Sequence, residues 1–113
     1  MREHEWVEEF PASITVSDPA GVILEMNACC AKAFEKDGGK KLLGTNMFDC
    51  HPEPAKSRLR YLMETQRTNI YTTEKNGVKR LVCQAPWQKD GQYAGFVEIV
   101  ITLPEKMPHF VRK

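Results

Sequence analysis

The side chains of this sequence best suited to chemistry are four cysteines (Cys29, Cys30, Cys50 and Cys83) and three histidines (His4, His51 and His109). Cys50 and His51 are the one adjacent thiol and imidazole, which raises a nucleophile with its base or a ligand centre for haem. Adjacent side chains rarely point at each other, and no orienting third group or oxyanion donor accompanies them, so Cys–His catalysis is not expected. Neutral imidazole is a competent axial ligand, so haem through His51 stands as an alternative. The plainer role is preferred: His51 starts a long helical stretch and can cap the free N–H groups of its first turn. A haem ligand would sit better one or two turns further in, where the chain has Leu59 and Leu62. No Cys-x-x-Cys spacing occurs and the histidines are scattered, so neither a disulfide framework nor a zinc or other metal site is expected. The cysteines read as reduced thiols of a cytoplasmic protein, Cys30 buried beside Phe34 and Cys29 partly exposed. A redox role has no spacing signature.

The elements that must position these groups come from one domain's worth of chain. It has 113 residues, 42% hydrophobic and 27% charged, a globular composition with one core. A net charge of +1 argues against a dedicated nucleic-acid binder. No apolar run reaches the ~20 residues of a membrane span, and the acidic start, Met1 to Phe10, is unlike a secretory signal.

Turn chemistry divides the chain. Asp18-Pro19-Ala20-Gly21 separates strands Ser13 to Ser17 and Val22 to Met26. Asn76-Gly77 and Asp90-Gly91 divide Ile70–Lys75, Val78–Pro86 and Gln92–Leu103 into a three-strand meander. Asn27 is a good N-cap for a helix from Ala28 to Phe34, which Gly38-Gly39 stops. Lys40 to Leu43 gives one further turn, ended by Gly44. Pro52 suits the first position of a longer helix whose Ala55, Leu59, Leu62 and Met63 share a face. Arg2 to Phe10 forms a short helix with Trp6, Val7 and Phe10 on one side. Short turns force antiparallel pairing, so the class is α+β.

These residues in this order resemble a PAS domain. Ile14 to Ile23 resembles the family's opening strand–DxxG–strand hairpin. Asn27 stands where such sequences carry an Asn before the first inner helix. Leu42-Leu43-Gly44-Thr45-Asn46 resembles a hydrophobic–Gly–x–Asn step, and Ala85-Pro86, Asp90-Gly91 and Gly95-Phe96-Val97 resemble the closing hairpin. Asp49-Cys50-His51-Pro52-Glu53 is similar to a bacterial subset with a Cys-His-Pro step before the long helix. The resemblance implies a five-stranded antiparallel sheet, order 2-1-5-4-3, with helices packed on one face and any ligand between that face and the long helix. It divides the chain into a capping and dimerisation helix at 1–11, a PAS domain at 12–104 and a tail at 105–113. Flavin-adduct members carry Gly-x-Asn-Cys-Arg; here Met47-Phe48 follows Gly44-Thr45-Asn46 and Cys50 comes three residues late, so a flavin adduct is not expected. The usual Asp-x-Thr after the last strand is replaced by Ile101-Thr102-Leu103-Pro104, and no output segment is expected in the tail.

On this frame the expected ligand-binding residues are Phe34, Met47, Phe48, His51, Leu59, Leu62, Met63, Cys83 and Ile99. Apolar alternation puts Leu81, Cys83, Ala85 and Trp87, with Val97, Ile99 and Ile101, on the helix-facing side, Cys30 joining them from the first inner helix. The same set also describes an ordinary filled core, for which Met and Phe are good packers, and that filled core or small pocket is preferred. Phe96 and Val100 are expected on the outer face, with Glu98 turned to solvent or the N-terminal helix. Trp6, Val7, Phe10, Phe96 and Val100 would then form a homodimer interface. The expected function is a non-enzymatic sensor or interaction module in bacterial signal transduction, working through a small molecule in the pocket and through dimer or signalling-partner contacts. Its alternative is a redox- or haem-responsive sensor centred on Cys50-His51.

Overall fold

The computed structural model describes residues 5–113, the side chain of Cys50 excepted. A one-turn helix α1 (Glu5–Glu8) precedes a hairpin of β1 (Ser13–Ser17) and β2 (Ile23–Met26). Helix α2 (Ala28–Ala33), three 3-10 turns (Glu35–Asp37, Gly39–Leu42 and Met47–Cys50) and helix α3 (Ala55–Glu64) come next. Strands β3 (Asn69–Lys75), β4 (Val78–Lys89) and β5 (Gln92–Thr102) end the domain. All five strands pair antiparallel in one sheet, order β2-β1-β5-β4-β3. The expected class, α+β with this strand order, is therefore the one observed.

Local chemistry accounts for the connections. Asp18 holds the first turn, its Oδ1 accepting from Ala20 N and Val22 N at 2.9 Å each. Asn76-Gly77 and Asp90-Gly91 all have positive φ, 52° and 77°, then 52° and 78°, as tight type I′ hairpins require. Asn27 does more than cap α2. Its Oδ1 accepts from Cys30 N (3.1 Å) and Ile14 N (3.0 Å), while its Nδ2 donates to Ala12 O (2.8 Å) and Val7 O (3.0 Å). One buried amide thus ties α1, β1 and α2 together. The Leu42–Asn46 step pairs with β2 through Ile23 N to Thr45 O (2.9 Å) and Gly44 N to Ile23 O (2.8 Å). Asn46 then accepts from Phe48 N at 2.9 Å and starts the turn that carries Met47 and Phe48.

Two helix boundaries differ from expectation. The described part of α1 ends at Glu8, before Phe10; the expected start at Arg2 lies outside the described residues. Helix α3 begins at Ala55, three residues after Pro52. Prolines at 52 and 54 supply no N–H, so the chain approaches as a turn, and the Glu53 carboxylate takes the cap by accepting from Ser57 N and Ser57 Oγ at 2.8 Å each.

The larger difference concerns the faces of the sheet. Phe96 is 3% exposed and packs with Leu59, Leu62 and Met63, so Phe96 points at the helices. Alternation then places Glu98 and Val100 on that inner face, with Val82 and Gln84 opposite them on β4. Cys83 and Ile99, paired with one another and flanked by Ile14 and Ile70, lie on the outer face with Leu81, Val97 and Ile101. The expected parity is inverted: Cys83 and Ile99 leave the inner set, while Phe96 and Val100 leave the outer one. The close approach of β1 and β5 at Gly95 accounts for it. Gly95 has φ 139°, and a Cβ there would sit 1.8 Å from Ser17 O. Across this gap the Trp87 indole donates to Ser17 O at 3.0 Å. The strand is pinned with Phe96 inward.

Candidate functional site

A cavity of about 400 Å³ lies between the inner sheet face and the helical segment. Its size is that of a site for a small organic molecule. Thr15 and Ser17 enter from β1, Ile23 and Met26 from β2, and Phe96 and Glu98 from β5. Cys30 comes from α2, with Phe34 just beyond it; Asp37 and Leu42 lie on the 3-10 turns that come next. Met47, Asp49 and His51 come from the segment before α3, and Leu59 from α3 itself. The walls are apolar and the floor is polar.

Thr15 and Glu98 of the floor belong to a row of directly opposed residues, Thr15, Glu98, Gln84 and Asn69, one on each of four neighbouring strands, whose last two members line the adjoining groove. Asn69 Nδ2 donates to Gln84 Oε1 at 3.1 Å, and Gln84 Nε2 donates to Glu98 Oε2 at 2.8 Å. Both amides thereby point their donors toward the Glu98 carboxylate, which ends the chain as its acceptor. Burial and then the Glu98 charge push the phenol of Tyr71, in the groove beside this row, above its usual 10.0. On the far side of Glu98, Thr15 Oγ1 and the fully buried Cys30 thiol are hydrogen-bonded at 2.9 Å.

His51 lines the cavity and also the adjoining groove made by Arg58, Leu62, Tyr71 and Gln84. Its Nδ1 lies 2.7 Å from Met47 O. A carbonyl only accepts, so Nδ1 carries the proton and, in the neutral ring, Nε2 is the acceptor. The expected cap of α3 is therefore not made by His51; Glu53 makes it, and His51 closes the preceding turn.

Of the expected site residues, Phe34, Met47, His51 and Leu59 meet in the cavity. Leu62 lines the adjoining groove. Phe48 and Met63 back the core cluster, Phe48 with the Arg60 guanidinium 4.8 Å from its ring centre. Cys83 and Ile99 are remote from the cavity, on the other face of the sheet. Sequence reasoning missed Thr15, Ser17 and Glu98 in the cavity and Gln84 in the adjoining groove. The signal available for them was a lone carboxylate inside the apolar run Phe96 to Ile101 and polar residues in the strands that pair with it. The Cys50 side chain lies outside the described residues, so the Cys50-His51 pairing is not described. Among the described residues no cluster of His, Cys, Asp or Glu is arranged to hold a metal, and no helix is long and apolar enough to cross a membrane.

No family model and no curated protein matches the chain. Solved structures do. A C-terminal domain from Streptococcus mutans superposes with a TM-score of 0.70 at 19% identity, covering 85% of this chain and 78% of that one. The PAS domain of BvgS from Bordetella pertussis gives 0.63 at 16% identity, over 87% and 81%. The Aer2 receptor from Vibrio cholerae, described as a dual PAS-heme oxygen sensor, gives 0.61 at 12% identity, over 82% and 95%. Identities this low speak for the fold and not for a shared ligand. The strand order, the helices gathered on one face and these superpositions together identify the architecture: the chain has the fold of a PAS domain.

Proposed function

We propose that this protein is a non-enzymatic sensing module of signal transduction that binds a small molecule between its sheet and its helices. The observation that carries the proposal is the 400 Å³ cavity, apolar in its walls and polar in its floor. Occupancy would be transmitted through Asn27. Met26 and Cys30, on either side of it, line the cavity, and its amide donates to Val7 O of α1. The output surface we assign is α1 with the outer sheet face, and its occupant is a second copy of the chain. Trp6 and Phe10 form an edge-to-face pair at 5.7 Å yet remain 59% and 43% exposed, and the outer sheet face leaves Ile70 60% and Ile101 40% exposed. Val7 belongs with that pair in this assignment. A signalling protein is the further partner, in a cytoplasmic setting without membrane or nucleic acid.

Native mass spectrometry tests the proposal, because it reports copy number and any retained small molecule together. A dimer carrying one small molecule per chain is the expected result. A bare chain that also shows no thermal stabilisation by any member of a fragment library would refute ligand sensing.

Haem is the second reading, since the tautomer of His51 leaves Nε2 free beside the cavity. The residues present do not fit it. Haem propionates need cations, whereas the cavity is lined by Asp37, Asp49 and Glu98 and by no Lys or Arg. An absorption spectrum without a Soret band is the expected outcome. For the redox version, reactive thiols after mild oxidation are expected to be unchanged in number.

A further inference from the structure

We propose that the cavity takes a small apolar molecule carrying a protonated amine or similar N–H cation, held by Glu98; this rests on the cavity being the binding site proposed above.

The polar atoms that face the space are mostly acceptors. Glu98 is half-buried and receives one hydrogen bond, from Gln84, on Oε2. A carboxylate has about four acceptor positions, so most of its capacity is unused by the protein, and Glu98 lines both the cavity and the adjoining groove. The His51 Nε2 is an acceptor by the tautomer argument, and Asp37 and Asp49, both exposed, bring two more carboxylates to the mouth. Of the three O–H and S–H donors, two are engaged within the protein and one hydrogen of the Thr15–Cys30 pair is left over, against the several acceptor positions above. Ser17 Oγ donates to Phe96 O at 3.4 Å, and Thr15 and Cys30 share one bond. The site therefore offers acceptors and asks for donors.

Charge leads to the same conclusion. The ion pairs among the described residues are Lys40–Glu8 and Lys79–Glu74, so neither Glu98 nor either mouth aspartate has a cation of its own. Arg58 lines the adjoining groove with Glu98 without pairing with it. A ligand carboxylate entering the cavity would meet three carboxylates and no partner cation, which repels it. A wholly apolar ligand would strip water from Glu98 and replace it with nothing, at the cost of an unpaired, desolvated charge. A cationic head on an apolar body resolves both. The head pairs with Glu98, and the body fills the space between Ile23, Met26, Leu59 and Phe96.

The experiment is a matched series on the ¹⁵N-labelled protein, followed by amide shifts: 2-phenylethylamine, 2-phenylethanol and phenylacetate. The amine is expected to shift Thr15, Cys30, Phe96 and Glu98 saturably. Its dissociation constant should lie about tenfold or more below that of the alcohol, with phenylacetate weakest. Glu98→Gln should bring amine and alcohol to equal affinity. Equal binding of amine and alcohol by the unaltered protein, or tighter binding of phenylacetate, overturns the cation assignment and leaves the cavity as a binding site. An amine preference that survives Glu98→Gln overturns the role of Glu98. No shift with any of the three overturns this inference, while the cavity reading is overturned by the bare chain and silent fragment library described above. If the variant fails to fold, the three-ligand series on the unaltered protein decides the matter.

Discussion

Truncating Phe96 and Ile99 separately measures which face of β5 is the core. The two side chains are three residues apart on one strand and point to opposite sides. Phe96 is 3% exposed inside the Leu59–Leu62–Met63 cluster, whereas Ile99 is only half-buried on the outer face. Phe96→Ala removes a ring from a packed site and leaves a cavity, which costs about 3–5 kcal/mol. Ile99→Ala removes a partly hydrated aliphatic group, at about 1 kcal/mol by area. At this chain length about 1 kcal/mol moves the melting temperature by roughly 4 °C, so the shifts should be about 12–20 °C and about 4 °C. Urea unfolding followed by far-UV circular dichroism gives both free energies at unchanged m-value. A larger loss for Ile99→Ala than for Phe96→Ala would refute the inward placement of Phe96, and with it the polar floor built on Glu98.

Three further outcomes are expected from the same contacts. Gly95→Ala puts a methyl 1.8 Å from the backbone oxygen of Ser17 at φ 139°, so it should separate β1 from β5 and cost more than about 3 kcal/mol in a urea titration; a loss under about 1 kcal/mol would contradict the close approach. Tyr93→Phe deletes a hydroxyl that is buried with no hydrogen-bond partner among the described residues, so stability should be unchanged or up to about 1 kcal/mol higher by the same titration. The Ser57 hydroxyl and backbone N–H hold Glu53 below its usual 4.5. A depressed carboxylate stabilises above its unfolded pKa and loses that contribution as pH falls through the folded value. The melting-temperature gap between the unaltered protein and Glu53→Gln should therefore be present at about pH 6 and close below pH 4.5.

The turns, the caps and the order of elements were legible in the sequence because each depends on residues close together in the chain. Asn76-Gly77 and Asp90-Gly91 adopt positive φ by themselves, Asp18 closes its own loop, and Asn27 caps the helix that comes after it. Short connections then leave antiparallel pairing as the available arrangement, and the strand order came with the family resemblance. Helix α3 shows its inner face through Leu59, Leu62 and Met63, since one side of a short helix must be apolar. Its first turn was less legible, because Pro52 and Pro54 both suit a helix start and only the Glu53–Ser57 contact decides between them.

Which side of the sheet forms the cavity was decided by tertiary structure. Strand β5 carries apolar residues on both faces from Phe96 to Ile101, so alternation has no polar side to mark, and the single charge at Glu98 was naturally assigned to water. In the folded chain that charge turns inward, where Gln84, itself supported by Asn69, meets it from the next strand, and where the backbone of β1 packs directly against Gly95. Both contacts join residues far apart in sequence. Local chemistry thus determined the elements and their succession, whereas long-range pairing chose the buried face and so determined which residues a ligand would meet.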